Sequence, residues 1–292
     1  MEIDRGFREE SVFFFFFKDN EQPRIRRLSD FTQIIQELAP HKVGSVVYRG
    51  HADVTWKTET SLFRNKKLYS SENAIFRTLL ASQPESFQSD TTMLDRLVRM
   101  QHFSLPTRLL DVTWNPLVAL YFCVNSHEKS DGHVLTIGFK ASDNKFFDSD
   151  TISCISNLVY MSPRERNVLR DKASLSIGDF NDLEESKRLL HFIKAEKPYF
   201  LPIINPKDLK RRLLVRPKQN NKRIIAQNGA FVLFGLSHKP LEKHSNYSIQ
   251  KLVIKAVDKP SLAKELDVFG FNDQSMFPEL ETASKYIARK FG

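Results

Sequence analysis

The chain has 292 residues, 41% of them hydrophobic and 27% charged, the balance of an ordinary globular protein able to bury a full core as one large domain or two closely packed ones. Its 44 Lys and Arg against 35 Asp and Glu leave a net charge of +9, which favours polyanionic partners or phosphate-bearing ligands. Cys123 and Cys154 are the only cysteines, too few for a disulfide framework and without metal-ligand spacing, so the expectations are a reducing, cytoplasmic setting and no metal.

In chain order, the Phe13 to Phe17 run is too short to span a bilayer, and Asp4, Glu9 and Glu10 before it do not suit a signal peptide. It reads as a buried strand or an interface, and no membrane partner is expected. Ser29 is placed to cap a helix through Leu38, with Asp30 in its first turn. Val43 to Tyr48 reads as a short buried strand ending at Arg49-Gly50, where glycine allows a sharp turn. Helices are predicted from Ser71 to Ala81 and from Thr92 to Gln101, the second with Leu94, Leu97, Val98 and Gln101 on one face and Pro106 to stop it.

Asn115-Pro116 opens a third helix with an apolar continuation from Leu117 to Val124. Strands are expected at His133 to Phe139 and Ile152 to Val159, and the charged stretch from Ser162 to Lys197 reads as mainly helical. Ala230 to Leu236 and Ile249 to Val257 look like buried strands, and Pro260 to Phe269 and Glu279 to Lys290 like helices. The mixture points to α+β, a single compact domain with a clustered β core flanked by helices. Residues 1–42 are expected to form an N-terminal strand and helix packed on a main domain of residues 43–292 with a helical insertion near 162–197.

The stretch Gln101 to Val124 interleaves Gln101, His102, Thr107, Arg108, Asp111, Thr113 and Asn115 with Leu105, Leu109, Leu110, Trp114 and Leu117. Burying so many hydrogen-bonding groups costs free energy unless they satisfy one another or face a ligand, so this is where a site is sought. The dinucleotide-fold, P-loop, zincin and α/β-hydrolase motifs are absent. Glu185 and Lys187 with Asp179 and Asp182 upstream have nuclease-like spacing, set against the plainer reading of a solvated helix face.

Four segments resemble the FRG domain family. Tyr48-Arg49-Gly50 with Trp56 and Ser61 to Arg64 is similar to its opening motif, and Gln101 to Phe122 to its QHxGxPTRLLDWTxxPLxALYF signature. Arg223 to Phe231 is similar to its RIxxQxGxF motif, and Phe271 to Leu280 to its closing FPxL segment. The match runs in order over about residues 43 to 290. Ser104 stands where the family usually has glycine, and Val112 where it usually has tryptophan.

A more distant resemblance, in the order of three motifs, is to ADP-ribosyltransferases, which would make the fold ADP-ribosyltransferase-like and NAD the substrate. That resemblance implies that Arg49 and Gly50 meet the phosphates, with His102, Thr107, Arg108, Thr113 and Tyr121 around the nucleotide, and it makes Arg49, Gln227 and Glu279 the candidate catalytic set. Each has a structural alternative. Arg49 would form a salt bridge at a strand end and His102 a local hydrogen bond. Thr107 and Thr113 would staple the loop, Arg108 would pair with Asp111, and Tyr121 and Phe122 would pack in the core. Gln227 stands where those enzymes place a glutamate and lacks its charge, so a carboxylate from elsewhere, Glu279 or Glu281, is the candidate to stabilise positive charge on the ribose.

Lys210, Arg211, Arg212, Arg216, Lys218, Lys222 and Arg223 form a basic run leading into the Gln227 motif, either a solvated loop or a guide for RNA or DNA backbone. The leading reading is an ADP-ribosyltransferase-like effector, a toxin or phage-defence protein with an antitoxin or regulatory protein as a further partner. The alternatives are a non-catalytic nucleic-acid or protein-binding module and a metal-dependent nuclease.

Overall fold

The computed structural model describes residues 23–38, 44–241, 247–280, 284, 286 and 288. The Phe13 to Phe17 run and most of Glu279 to Lys290 lie outside the described residues, although Leu280, Ser284, Tyr286 and Ala288 within the latter are helical.

The elements run α1 (Leu28–Leu38), β1 (Ser45–His51), α2 (Lys66–Ser70), α3 (Glu72–Ser82), α4 (Met93–His102), β2 (Leu109–Thr113), α5 (Pro116–Val124), β3 (Gly132–Phe139), β4 (Asn144–Phe146), α6 (Asp150–Ser156), α7 (Pro163–Asp171), α8 (Ile177–Asn181), α9 (Glu184–Glu196), β5 (Arg212–Arg216), α10 (Lys222–Ala226), β6 (Gly229–Phe234), β7 (Tyr247–Ile254), α11 (Lys259–Val268) and α12 (Asp273–Met276). The strands form one curled, mixed sheet in the order β4-β5-β6-β2-β1-β3-β7, in which β4 and β5 alone are parallel. This is an α+β fold.

Strand alternation sorts the core into three clusters. Val47, Leu110, Val112, Leu135, Ile137, Val232 and Phe234 fill the inner face of the curl, drawing on β1, β2, β3 and β6. The outer face of β2, β5 and β6 is covered by α4, α6 and α9 through Leu94, Ile155 and Leu189. The outer face of β1, β3 and β7 is covered by α5, α1 and α11, through Leu120, Phe31 and Leu262. Lys259 at the start of α11 is fully buried and donates Nζ to the carbonyls of Ala52, Ser126 and His127.

Several expectations change. Ser29 lies inside the first turn of α1; Asp30 instead accepts the Arg26 and Arg27 amides, which holds its carboxyl below the usual range. Gly50 is still within β1, next to its last residue, and its role is close approach, since a Cβ there would stand 1.9 Å from the Ala119 carbonyl oxygen of α5. Leu109–Thr113, expected as loop, is a central strand because LLDVT alternates and its ladder on β6 is complete from Leu109 to Thr113. Ile152 to Val159 is α6 followed by a 3-10 turn, not a strand; all of these residues are buried, so neither an alternation nor a helical stripe marks the element. The apolar run alone does not distinguish strand from helix.

The end of α4 shows what Ser104 does. Thr92 and Asp95 form a capping box at its start. At its end the Leu105 amide reaches the Met100 carbonyl (3.0 Å) and the Ser104 amide the Gln101 carbonyl (3.0 Å), the bond pair of a Schellman motif. Ser104 therefore takes the left-handed position, φ 66°, which favours glycine. The same motif ends α11, and there Gly270 fills it with φ 81°.

Candidate functional site

The sheet is nearly divided at its centre. β1 pairs with β3 over seven residues and β2 with β6 over five, but β1 meets β2 at the single bridge Tyr48 to Thr113. Beyond that bridge a cavity of about 260 Å³ opens between the half-sheets. Arg49 and Gly50 come to it from β1, Asp111 and Thr113 from β2, and Gln227 and Arg223 from α10, with Tyr48, Trp56 and Phe122 as aromatic walls.

Arg49 spans the division. Its Nη1 donates to the Asp111 carbonyl at 2.5 Å, in place of a ladder bond that the strands no longer make. Its Nε donates to His51 Nε2 at 3.0 Å, and His51 Nδ1 lies 3.0 Å from His133 Nε2. Arginine has no acceptor, so His51 Nε2 presents its lone pair and its proton sits on Nδ1, directed at the lone pair of His133 Nε2. His51 and His133 face each other on neighbouring strands, both buried. Burial first, then the charge of Arg49, pushes His51 down to about 2, and burial, then Lys251, pushes His133 down to about 4. Burial also works against the charge of Arg49, Asp111 supports it, and Arg64 opposes it. The guanidinium is thus fixed at two of its edges.

A second lobe of about 90 Å³ adjoins the first and shares Asp111, Val112, Arg223 and Gln227 with it. Gln101, His102 and Ser104 at the end of α4 form its far side. Among the described residues Asp111 is the sole carboxylate lining either lobe. Its Oδ2 accepts from Gln101 Nε2 at 2.8 Å, Gln101 Oε1 accepts from the Thr107 hydroxyl at 2.8 Å, and Thr107 Oγ1 accepts the Leu109 amide at 3.1 Å. The polar residues of the signature therefore form a chain that aims one carboxylate. A third cavity, of about 140 Å³, continues from Val98 and His102 toward Lys218 and Asn221.

Gln227 caps α10, and Asn228 after it takes φ 44° to turn into β6. Gln227 Nε2 donates to the Met276 carbonyl (2.9 Å), and its backbone carbonyl accepts the Thr113 hydroxyl (2.7 Å). Arg223 lies over the Phe277 ring at 4.8 Å. Glu279 does not line the main cavity; it approaches His102 Nε2 at 3.7 Å. Burial and Arg223 lower the His102 pKa, which Glu279 opposes.

Of the other candidates, Arg108 is moved out of the site. It is 1% exposed and gives Nε and Nη2 to Glu72 at 2.8 and 2.6 Å, so the expected Arg108–Asp111 pair does not form. Arg166 of α7 shares that carboxylate at 3.0 Å and locks the helical insertion to the sheet. The Tyr121 hydroxyl donates to Asp273 on the far side of α5, away from the main cavity. Thr107 is buried and acts through Gln101.

The basic run divides between the two ends of β5. At one end Arg211 binds Asp208 and Asp143, and Arg212 binds Tyr247, Ser237 and the Lys239 carbonyl, with Lys210 exposed beside them. At the other, Arg216 stacks on Trp114 at 4.4 Å and Lys218 pairs with Asp95 at 2.9 Å, while Lys222 is exposed and Arg223 enters the cavity. Ser176 caps α8 by accepting the Asp179 amide, its hydroxyl donates to the Asp179 carboxylate, and Lys187 pairs with Glu184 at 2.9 Å, so the nuclease-like spacing lies outside the cleft. Among the described residues no cluster of three or more His, Cys, Asp or Glu could hold a metal ion, and no helix is long and apolar enough to cross a membrane.

Sequence reasoning missed Tyr48 and Ser126 as lining residues, placed Phe122 in the core, and read Asp111 as scaffolding. Its polar side chain in the middle of an LLDVT alternation is the signal that marks an outward-facing strand residue.

The family model described as FRG domain matches residues 44–132, the stretch from the start of β1 to the start of β3 that supplies Arg49, the Gln101 to Thr113 chain and α5. No curated protein and no solved structure matches the chain.

Proposed function

We propose that the chain is an ADP-ribosyltransferase-like enzyme that uses NAD as donor and modifies a macromolecule. One observation carries this reading: Arg49, Thr113 and Gln227, far apart in sequence, meet in one cavity at the division of the sheet. Arg49 is a permanent planar cation held in a fixed orientation, suited to a pyrophosphate. Tyr48, Trp56 and Phe122 offer apolar surface for a nicotinamide ring, and the Gln227 amide, anchored through Nε2, keeps Oε1 as a fixed acceptor. NAD supplies an activated ribose whose bond to nicotinamide is the one to be exchanged.

The acceptor class is nucleic acid. Arg216, Lys218, Lys222 and Arg223 lie at the cavity end of β5 and along the third cavity, where a phosphate backbone would be drawn toward the second lobe. A toxin or defence role, with an antitoxin as regulator, fits such a reaction.

The test uses labelled NAD with cellular RNA, DNA and protein. The full chain transfers label to one of these fractions, and Arg49→Ala abolishes both transfer and NAD binding while the fold is retained. Absence of NAD binding by the unaltered chain, or full activity in Arg49→Ala, overturns the proposal. Binding of RNA or DNA without transfer would favour a non-catalytic module.

A further inference from the structure

Resting on that reading, we infer that Asp111 is the catalytic carboxylate: it takes the proton of the attacking acceptor, at the junction of donor and acceptor lobes. Neither Glu279 nor Gln227 can fill this position. Glu279 is turned to His102 and lines neither lobe, and Gln227 carries no charge.

Three observations support Asp111. It lines both lobes and among the described residues is the sole carboxylate in either, which is where a group that must meet both reactants has to stand. Its orientation is built, since Gln101 and Thr107 hold Oδ2 while Oδ1 has no protein partner among the described residues. Its backbone carbonyl receives Arg49 Nη1, so the phosphate-binding cation and the carboxylate are registered on one residue. A group so placed and exposed can pass its proton on to solvent.

The bond between ribose C1′ and the nicotinamide nitrogen breaks with its electron pair passing to the ring, which leaves as neutral nicotinamide. An oxygen lone pair of the acceptor, a hydroxyl of RNA or a water molecule, forms the new bond to C1′. The proton released from that oxygen passes to Asp111 Oδ1 and then to water. Gln101 and Thr107 are positioning residues.

The experiment follows nicotinamide release and labelled product from labelled NAD, with cellular RNA present and with water alone, alongside calorimetric titration of NAD. Asp111→Asn is expected to lower kcat by about 100-fold or more, the lower range for loss of a positioned acid or base, while NAD affinity changes less than about threefold, the upper end of a small binding perturbation. Asp111→Glu, which keeps the carboxylate, should restore part of kcat. Gln101→Met, which leaves Asp111 in place, should lower kcat without raising KM and keeps the inference testable if Asp111→Asn does not fold. An unaltered kcat in either Asp111→Asn or Gln101→Met overturns the assignment of Asp111 and leaves the function standing. Failure of the unaltered chain to bind or cleave NAD overturns both.

Discussion

The Arg49–His51–His133 chain makes stability depend on pH with a sign that follows from its donors. Arg49 only donates, so protonating His51 would set two donors against each other, and protonating His133 would do the same at the next link. Both folded imidazoles are pushed down, to about 2 and about 4, from an unfolded value near 6.5. Below 6.5 the unfolded chain therefore binds protons that the folded chain refuses, and stability falls with pH; above 6.5 the contribution is complete. The loss levels off for His133 near pH 4 and continues for His51 toward pH 2.

At about 1.4 kcal/mol per pH unit for each group, the 1.5 units between 6.5 and pH 5 cost about 2 kcal/mol apiece, or about 4 kcal/mol for the pair. His102 and His238 are also pushed down, chiefly by burial, and add in the same direction. Urea unfolding at pH 8 and pH 5, at constant ionic strength, measures the difference. Proton NMR titration of the histidine rings assigns it. A difference below about 1 kcal/mol, or a ring of His51 or His133 titrating near 6.5 in the folded state, refutes the chain of bonds.

Two further perturbations test the frame around the site. Replacing Glu72 with Gln leaves Arg108 and Arg166, each 1% exposed, without their shared carboxylate, and should cost about 3–5 kcal/mol in urea unfolding; a loss under about 1 kcal/mol would show that the pairs do not form. Replacing Ser104 with Gly removes the cost of a left-handed side-chain residue, about 1–2 kcal/mol, against about 0.5–1 kcal/mol of added chain freedom, a net gain of about 0.5 kcal/mol. A less stable Ser104→Gly would refute the Schellman assignment at the end of α4.

Periodicity placed the helices well where caps were present. Thr92 with Asp95 and Asn115 with Pro116 are local signals that act within one turn, and α4 and α5 begin where those residues stand. Periodicity failed where the deciding contact is distant. Nothing near Ile152 to Val159 distinguishes a buried strand from a buried helix, and nothing near Gly50 shows that α5 will press against it. The site was legible as a concentration of polar residues but not as a set of partners: Arg108 pairs with Glu72, 36 positions away, instead of with nearby Asp111. Arg49 and Asp111 meet through a backbone carbonyl, which no residue pattern records.

The position of the cavity follows from the sheet. Strands that stayed paired would satisfy their own amides and carbonyls, and the space between β1 and β2 would be closed. With one bridge between them, carbonyls beyond it need other donors, because buried backbone acceptors are costly to leave unpaired. Arg49 supplies one such donor from within β1, and Thr113 ties the end of β2 to α10 through the Gln227 carbonyl. The side chains that replace the missing ladder are therefore the same ones that line the cavity. Gly50 keeps α5 against β1 so that Phe122 reaches the opening, and Gln101 keeps α4 against β2 so that Asp111 does. A change that restored β1–β2 pairing would close the site and remove the need for Arg49 together, which is why fold and site are written in the same signature.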